Sequence, residues 1–189
     1  MNKKISFKII LLLSISISIF AKEYHVKKSD KNIIKFISDA PIEDFEGVTD
    51  NIDGYLFYEK DLTNESQLYF EVDLRTLDTG IGLRNRHMRE NYLETEQYPM
   101  AAYTGKITKA EKLEENQFEV QVSGEMNIHG ISIPQIIEGR IIINDWGIRV
   151  ITNFIVKLSD HKIEIPSLMF MKIDENMDLQ LDFNLEEAK

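Results

Sequence analysis

The sequence predicts an all-β fold: a single antiparallel eight-stranded barrel with a short helical insert, following an N-terminal signal peptide. Three observations carry the all-β, antiparallel part of that expectation. Apolar and polar residues alternate with a period of two along most of the chain after about Asp30; Gly, Asn and Asp punctuate the alternating runs; and one polar stretch interrupts them. With 189 residues, 43% of them hydrophobic, the chain has the length of one globular domain plus a processed segment.

The elements follow in chain order. Met1–Lys8 is short and basic, Ile9–Phe20 carries no charge, and Ala21 precedes a return to polar sequence at Lys22. This is the layout of a secretory signal, and its apolar run is well short of the roughly 20 residues a membrane-spanning helix needs. Residues 1–21 are therefore expected to be removed and 22–189 to form the domain, in the periplasm or outside the cell. Strands are expected at Ile33–Ile37, Ile52–Tyr58, Leu68–Leu74, Ala101–Ile107, Gln117–His129, Ile136–Ile143, Arg149–Leu158 and Met177–Leu185. In Gln117–His129 the set Phe118, Val120, Val122, Met126 and Ile128 alternates with polar residues, and only a pleated strand keeps such a set on one face. One apolar face and one wet face mark antiparallel sheets, which close as a sandwich or a barrel. The interruption, Thr79–Gln97, is polar and contains Arg84, Arg86, His87 and Arg89, consistent with a short helix or two across an opening.

Composition excludes several functions. Without cysteine there is no disulfide, thiolate metal site or cysteine nucleophile. The net charge of −10, lower by a further three once Lys3, Lys4 and Lys8 are removed, repels nucleic acid and offers no basic patch to an anionic membrane. His25, His87, His129 and His161 are scattered singly, without metal-ligand spacing. Ser123-Gly124 and Ser132 lie in no nucleophile elbow, and no phosphate-binding loop is present. No enzymatic activity, metal or cofactor is expected.

The interior of an eight-stranded barrel of this size is filled either by side chains or by one elongated ligand. Alternation points Phe36, Leu56, Phe70, Tyr103, Val120, Val122, Met126, Ile128, Phe154, Leu181 and Phe183 inward, and both outcomes stay open on that pattern alone. A polar head group would need cations at a mouth, where Arg84 and His87 stand with Arg86 and Arg89; the competing reading pairs the arginines with Asp78, Glu90, Glu94 or Glu96. His129, outward in the alternation and before Gly130, reads as a surface residue beside a turn. Tyr55, Phe57 and Tyr69 fall on outer faces and would mark a protein interface.

Two stretches carry a resemblance. The first runs from Thr79-Gly80 through Arg84, Asn85, His87, Met88, Tyr92 and Leu93 to Tyr98-Pro99; the second is Val122–Pro134, with Gly124, Met126, Gly130 and Ile131. In this order and spacing they resemble the YceI-like family of polyisoprenoid-binding proteins. The resemblance implies a lipocalin-like barrel with an apolar tunnel, and an exported carrier of a polyisoprenoid or other lipid-like ligand. It also implies no catalytic residues, a bound lipid in place of any cofactor, and a homodimer in many members; transient membrane contact is a further expectation. The other class of function is an envelope interaction or structural module with a filled barrel and no small ligand. Departures from the family pattern fall at Asp30–Asn32, at Pro41–Gly47, at Asn85 where an acid is expected, and at Leu158–His161. An extra segment, Pro166–Ile173, either offers Met169, Phe170 and Met171 to a mouth or packs as an ordinary strand or lid.

Overall fold

The computed structural model describes residues 21–38, 44–63, 65–165 and 173–188, and the backbone of 167–168 and 171–172. Residues 1–20, where the signal peptide is expected, residues 39–43, and Met169 and Phe170 lie outside the described residues, as does the side chain of Met171.

Besides four short helical elements, the described residues form twelve strands. They are β1 (Lys22–Val26), β2 (Ile33–Ser38), β3 (Phe45–Thr49), β4 (Ile52–Tyr58), β5 (Gln67–Asp73), β6 (Met100–Lys112), β7 (Gln117–Ile128), β8 (Ile131–Asn144), β9 (Gly147–Lys157), the two-residue strands β10 (Ser167–Leu168) and β11 (Met171–Lys172), and β12 (Asn176–Glu187). Antiparallel neighbours run β1-β4-β5-β6-β7-β8-β9-β12, and β12 returns to β1, closing an eight-stranded barrel. Closure pairs the edges of β1 and β12 that an open sheet would leave exposed.

Two strand pairs extend the wall. β2 lies beyond β1 on the same edge of β12, with Leu185 to Glu187 facing β1 and Met177 to Asp182 facing β2. β3 pairs with β2 as β4 pairs with β1, so β1–β2 and β3–β4 form one long interrupted hairpin. At the first interruption Asn32, 2% exposed, substitutes for the ladder: its side chain donates to the Lys27 carbonyl and accepts from the Asn184 backbone N–H. At the second, β3 turns from β5 towards the insert, where Val48 and Asp78 exchange both backbone hydrogen bonds at 2.9 Å.

Two strands of the main sheet, β1 and β3, and the two-residue strands β10 and β11 are not among those expected from the sequence. β6 outruns its expected end at Ile107 because the register shifts between Ile107 and Lys109. The extra residue reverses the phase of the alternation, so the apolar series appears to stop where the strand in fact continues.

One end of the barrel, the base, carries the hairpins β6–β7 and β8–β9 and the β4–β5 loop. The opposite end carries the helical pieces: the 310 turn Leu74–Thr76, helix α1 (Gly82–His87) merging into a π-helical turn Met88–Tyr92, and, beyond the β7–β8 turn, the segment from the 310 turn Leu158–His161 to β12.

Candidate functional site

A cavity of about 730 Å³ occupies the barrel and opens at the end carrying α1. Its size falls in the range of small-molecule sites. The wall is built by alternation: Met177, Leu179, Leu181 and Phe183 on β12, Val156, Phe154, Thr152 and Val150 on β9, and Ile128, Met126, Val122 and Val120 on β7. Several of these inward residues keep accessible surface, among them Phe36, Phe70, Phe154, Val150 and Leu181. A side chain that faces into a barrel yet stays accessible borders open space rather than a packed core.

Three glycines set the wall's thickness on one side. Gly105 faces Gly124 across β6 and β7, and a Cβ on Gly124 would lie 2.2 Å from the Thr104 carbonyl oxygen. Tyr103 lays its ring over this gap and donates to the Val122 and Gln135 carbonyls. Burial pushes its hydroxyl up to about 12, so it stays protonated as a wall hydrogen-bond donor. Gly139 thins the wall next to Thr152.

The mouth is framed by the insert. A helix as short as α1 is marginal by itself, and its side chains tie it down. Asn85 accepts from the Thr79 N–H and hydroxyl (2.8 and 2.7 Å), and its amide donates to Asp78 at 2.7 Å. That amide, helped by the Gly80 N–H, holds the Asp78 carboxyl below the usual range. An aspartate at position 85 would instead confront Asp78, so asparagine and Asp78 form a matched pair.

Arg84 donates to the Thr79 hydroxyl (2.9 Å) and carbonyl (2.7 Å) and lies over the Phe45 ring at 4.6 Å. Arg89 donates to the Leu77 carbonyl at 2.8 Å, leaving its buried Nε unpartnered. Among the described residues neither these two nor Arg86 forms a salt bridge, so the expected pairing with Asp78 or the nearby glutamates is not what anchors the insert. Among the described residues, Arg84 and His87 are the charged or titratable nitrogen groups on the cavity lining, and no Asp, Glu or Lys borders it.

His129 is half-buried rather than a free surface residue. With φ of 54° it forms, with Gly130 at 71°, a tight hairpin turn that folds back under the insert. Its Nδ1 meets the His161 carbonyl at 3.2 Å, its Nε2 the Glu94 carboxylate at 3.1 Å, and its ring packs edge-on against Tyr98 at 4.5 Å. The buried His161 in turn meets the Ile131 carbonyl at 3.1 Å. Three loops at the mouth are thereby joined.

All thirteen residues expected at the site border the cavity: Phe36, Leu56, Phe70, Tyr103, Val120, Val122, Met126, Ile128, Phe154, Leu181 and Phe183 in the wall, Arg84 and His87 at the mouth. Sequence reasoning missed the insert's apolar contribution, from Ile81, Leu83, Met88, Tyr92 and Leu93. The signal was there, since residues 81, 88 and 92 recur at helical spacing amid the arginines. Tyr55 and Tyr69 meet outside the barrel, ring centres 6.4 Å apart, with His25 beside Tyr55.

Comparison with known proteins agrees with this architecture. BcnA of Burkholderia cenocepacia superposes with a TM-score of 0.69 at 13% identity, covering 87% of this chain and 99% of its own. A polyisoprenoid-binding domain from Saccharophagus degradans, implicated in plant cell wall breakdown, gives 0.67 at 16% identity, covering 90% and 100%. The YCEI protein of Campylobacter jejuni gives 0.53 at 16% identity, covering 99% and 94%. A search of curated protein sequences found no match. The model of the YceI-like domain matches residues 24–185, nearly all of the chain outside its N-terminal segment, and the chain belongs to the YceI-like family.

Proposed function

We propose that this protein is an exported carrier that sequesters a long apolar chain, a polyisoprenoid or another lipid-like molecule, inside the barrel. The observation that carries the reading is the open, almost wholly apolar interior of about 730 Å³ with its few polar groups at one mouth. Burying apolar chain there is worth about 0.8 kcal/mol per methylene before the costs of association. A polar head would rest at the mouth near Arg84 and His87. The Saccharophagus domain supports the ligand class through its fold. A filled-barrel envelope module would require a packed interior, which the accessible inward residues speak against. The carrier works without chemistry of its own, in the periplasm or outside the cell, and Ile81 and Leu83, exposed on the rim, suit transient contact with a membrane during loading.

The test is to express the full chain with export, purify it without detergent, and extract it with organic solvent for mass spectrometry. A stoichiometric long-chain lipid is expected, and it should be lost in Val122→Asp or Ile128→Asp. A clean extract from folded protein that also takes up neither isoprenoids nor fatty acids when they are added back would refute the proposal.

A further inference from the structure

Resting on the carrier reading, we infer that the cavity is a blind pocket that measures its ligand, accepting one linear acyl or prenyl chain of about two dozen carbons. The volume gives the capacity: at about 30 Å³ per water-sized group, 730 Å³ holds roughly 24 such groups. The strands show why the chain stops there. The cavity wall ends at Phe183 on β12, Val150 on β9 and Leu56 on β4. The next inward residues, Leu185, Ile148 and Tyr58, are 0%, 0% and 6% exposed, and none of them borders the cavity.

These three belong to a packed floor at the base. The Tyr24 ring stacks on Tyr58 with centres 6.0 Å apart, and Leu62 from the β4–β5 loop is buried in the same cluster. Desolvation raises the Tyr58 hydroxyl above its ordinary range, as a dry floor requires. The wall segment from Met177 to Phe183 spans about 20 Å along the strand at about 3.3 Å per residue, or roughly 15 Å along a barrel axis for strands tilted near 40°, so a chain that fills the volume enters folded back on itself rather than fully extended. A chain longer than the pocket therefore leaves its excess at the mouth, where it gains no burial from the barrel.

The experiment uses the full-length exported protein stripped of lipid and a fluorescent fatty acid as reporter. Linear fatty acids and prenols from about 10 to about 40 carbons compete for it, each added methylene that enters the pocket being worth about fourfold. Affinity is expected to climb with length to about 20–25 carbons and then level off. A continued climb to the longest chains overturns the inference while leaving the carrier reading intact. Failure of every chain, and of the reporter, to bind overturns both. Ile148→Ala and Leu185→Ala, checked for folding by circular dichroism, should move the break to longer chains. An unmoved break in a folded variant also overturns the inference.

Discussion

Replacing Val150 with phenylalanine separates a hollow barrel from a filled one. Val150 faces inward on β9, between Ile141 and Phe183 in the sheet, and borders the cavity while retaining accessible surface. The substitution adds four carbons, which at about 30 Å³ each take roughly 120 Å³, a sixth of the space. A ligand that loses contact over four methylenes forfeits about 3 kcal/mol, or roughly 150-fold in affinity. Stability responds the other way round from an ordinary core. Overpacking a filled interior costs about 1–3 kcal/mol, whereas a ring entering open space gains contacts without displacing its neighbours. The assay is a fluorescent fatty-acid titration paired with urea unfolding of the ligand-free protein. Weakened binding with an unchanged or raised urea midpoint is expected. Unchanged binding together with a stability loss of about 1–3 kcal/mol would refute the reasoning.

Three further outcomes are expected. Asn85→Asp puts two carboxylates where Asn85 now donates to Asp78, so the insert should loosen near neutral pH, read as faster amide exchange over 79–93. The pair then shares a proton, which raises a folded-state pKa, and the lost protection should return as pH falls; a protection factor equally reduced at all pH values would contradict this. The hydroxyls of Tyr69, bonded to Glu71, and Tyr103, buried, are both pushed up to about 12 from 10, so stability should be full below pH 10 and decline between 10 and 12 as the unfolded state ionises first. Tyrosinate absorbance in which all seven tyrosines titrate together near 10 in folded protein would count against it. Gly124→Ala drives a Cβ into the Thr104 carbonyl and should cost about 1–3 kcal/mol or more in urea unfolding; a neutral result would mean that β6 and β7 separate more easily than their register implies.

The barrel was legible because its walls obey one rule. From Val120 to Ile128, and from Met177 to Leu185, each inward residue is apolar and each outward neighbour is polar or tolerant of water, so strand and facing come together. The rule fails where the pairing changes. The bulge after Ile107 swaps the inward phase of β6, and the side chain of Asn32 does at the β1–β2 break what backbone does elsewhere. Neither event leaves a periodic trace. The mouth was half legible: Arg84 and His87 stood out by charge in an acidic chain, but the partners of Arg84 are a threonine and a phenylalanine ring, which charge counting does not find. His129 was misjudged because alternation assigns it a face of the sheet, whereas its positive φ places it in a turn that the insert then covers.

Hollow and filled barrels could not be told apart by alternation, since both demand apolar residues at the same positions. What separates them is volume, and volume is decided by closure. A helical bundle or an open sandwich with small or spread inward residues would draw its layers together until the gap closed. Here the β1–β12 pairing completes a ring of backbone hydrogen bonds whose circumference is fixed by eight strands. Gly139 and Thr152, small residues on the cavity lining, then leave space that the wall cannot retract to fill. The packed residues Tyr24, Tyr58, Ile148 and Leu185 secure one end. The Asn85–Thr79 and His129–Glu94 contacts hold the insert over the other. The strand ladders and the floor thus keep the wall in shape while its upper interior stays open, the arrangement a carrier needs if it is to empty and fill without unfolding.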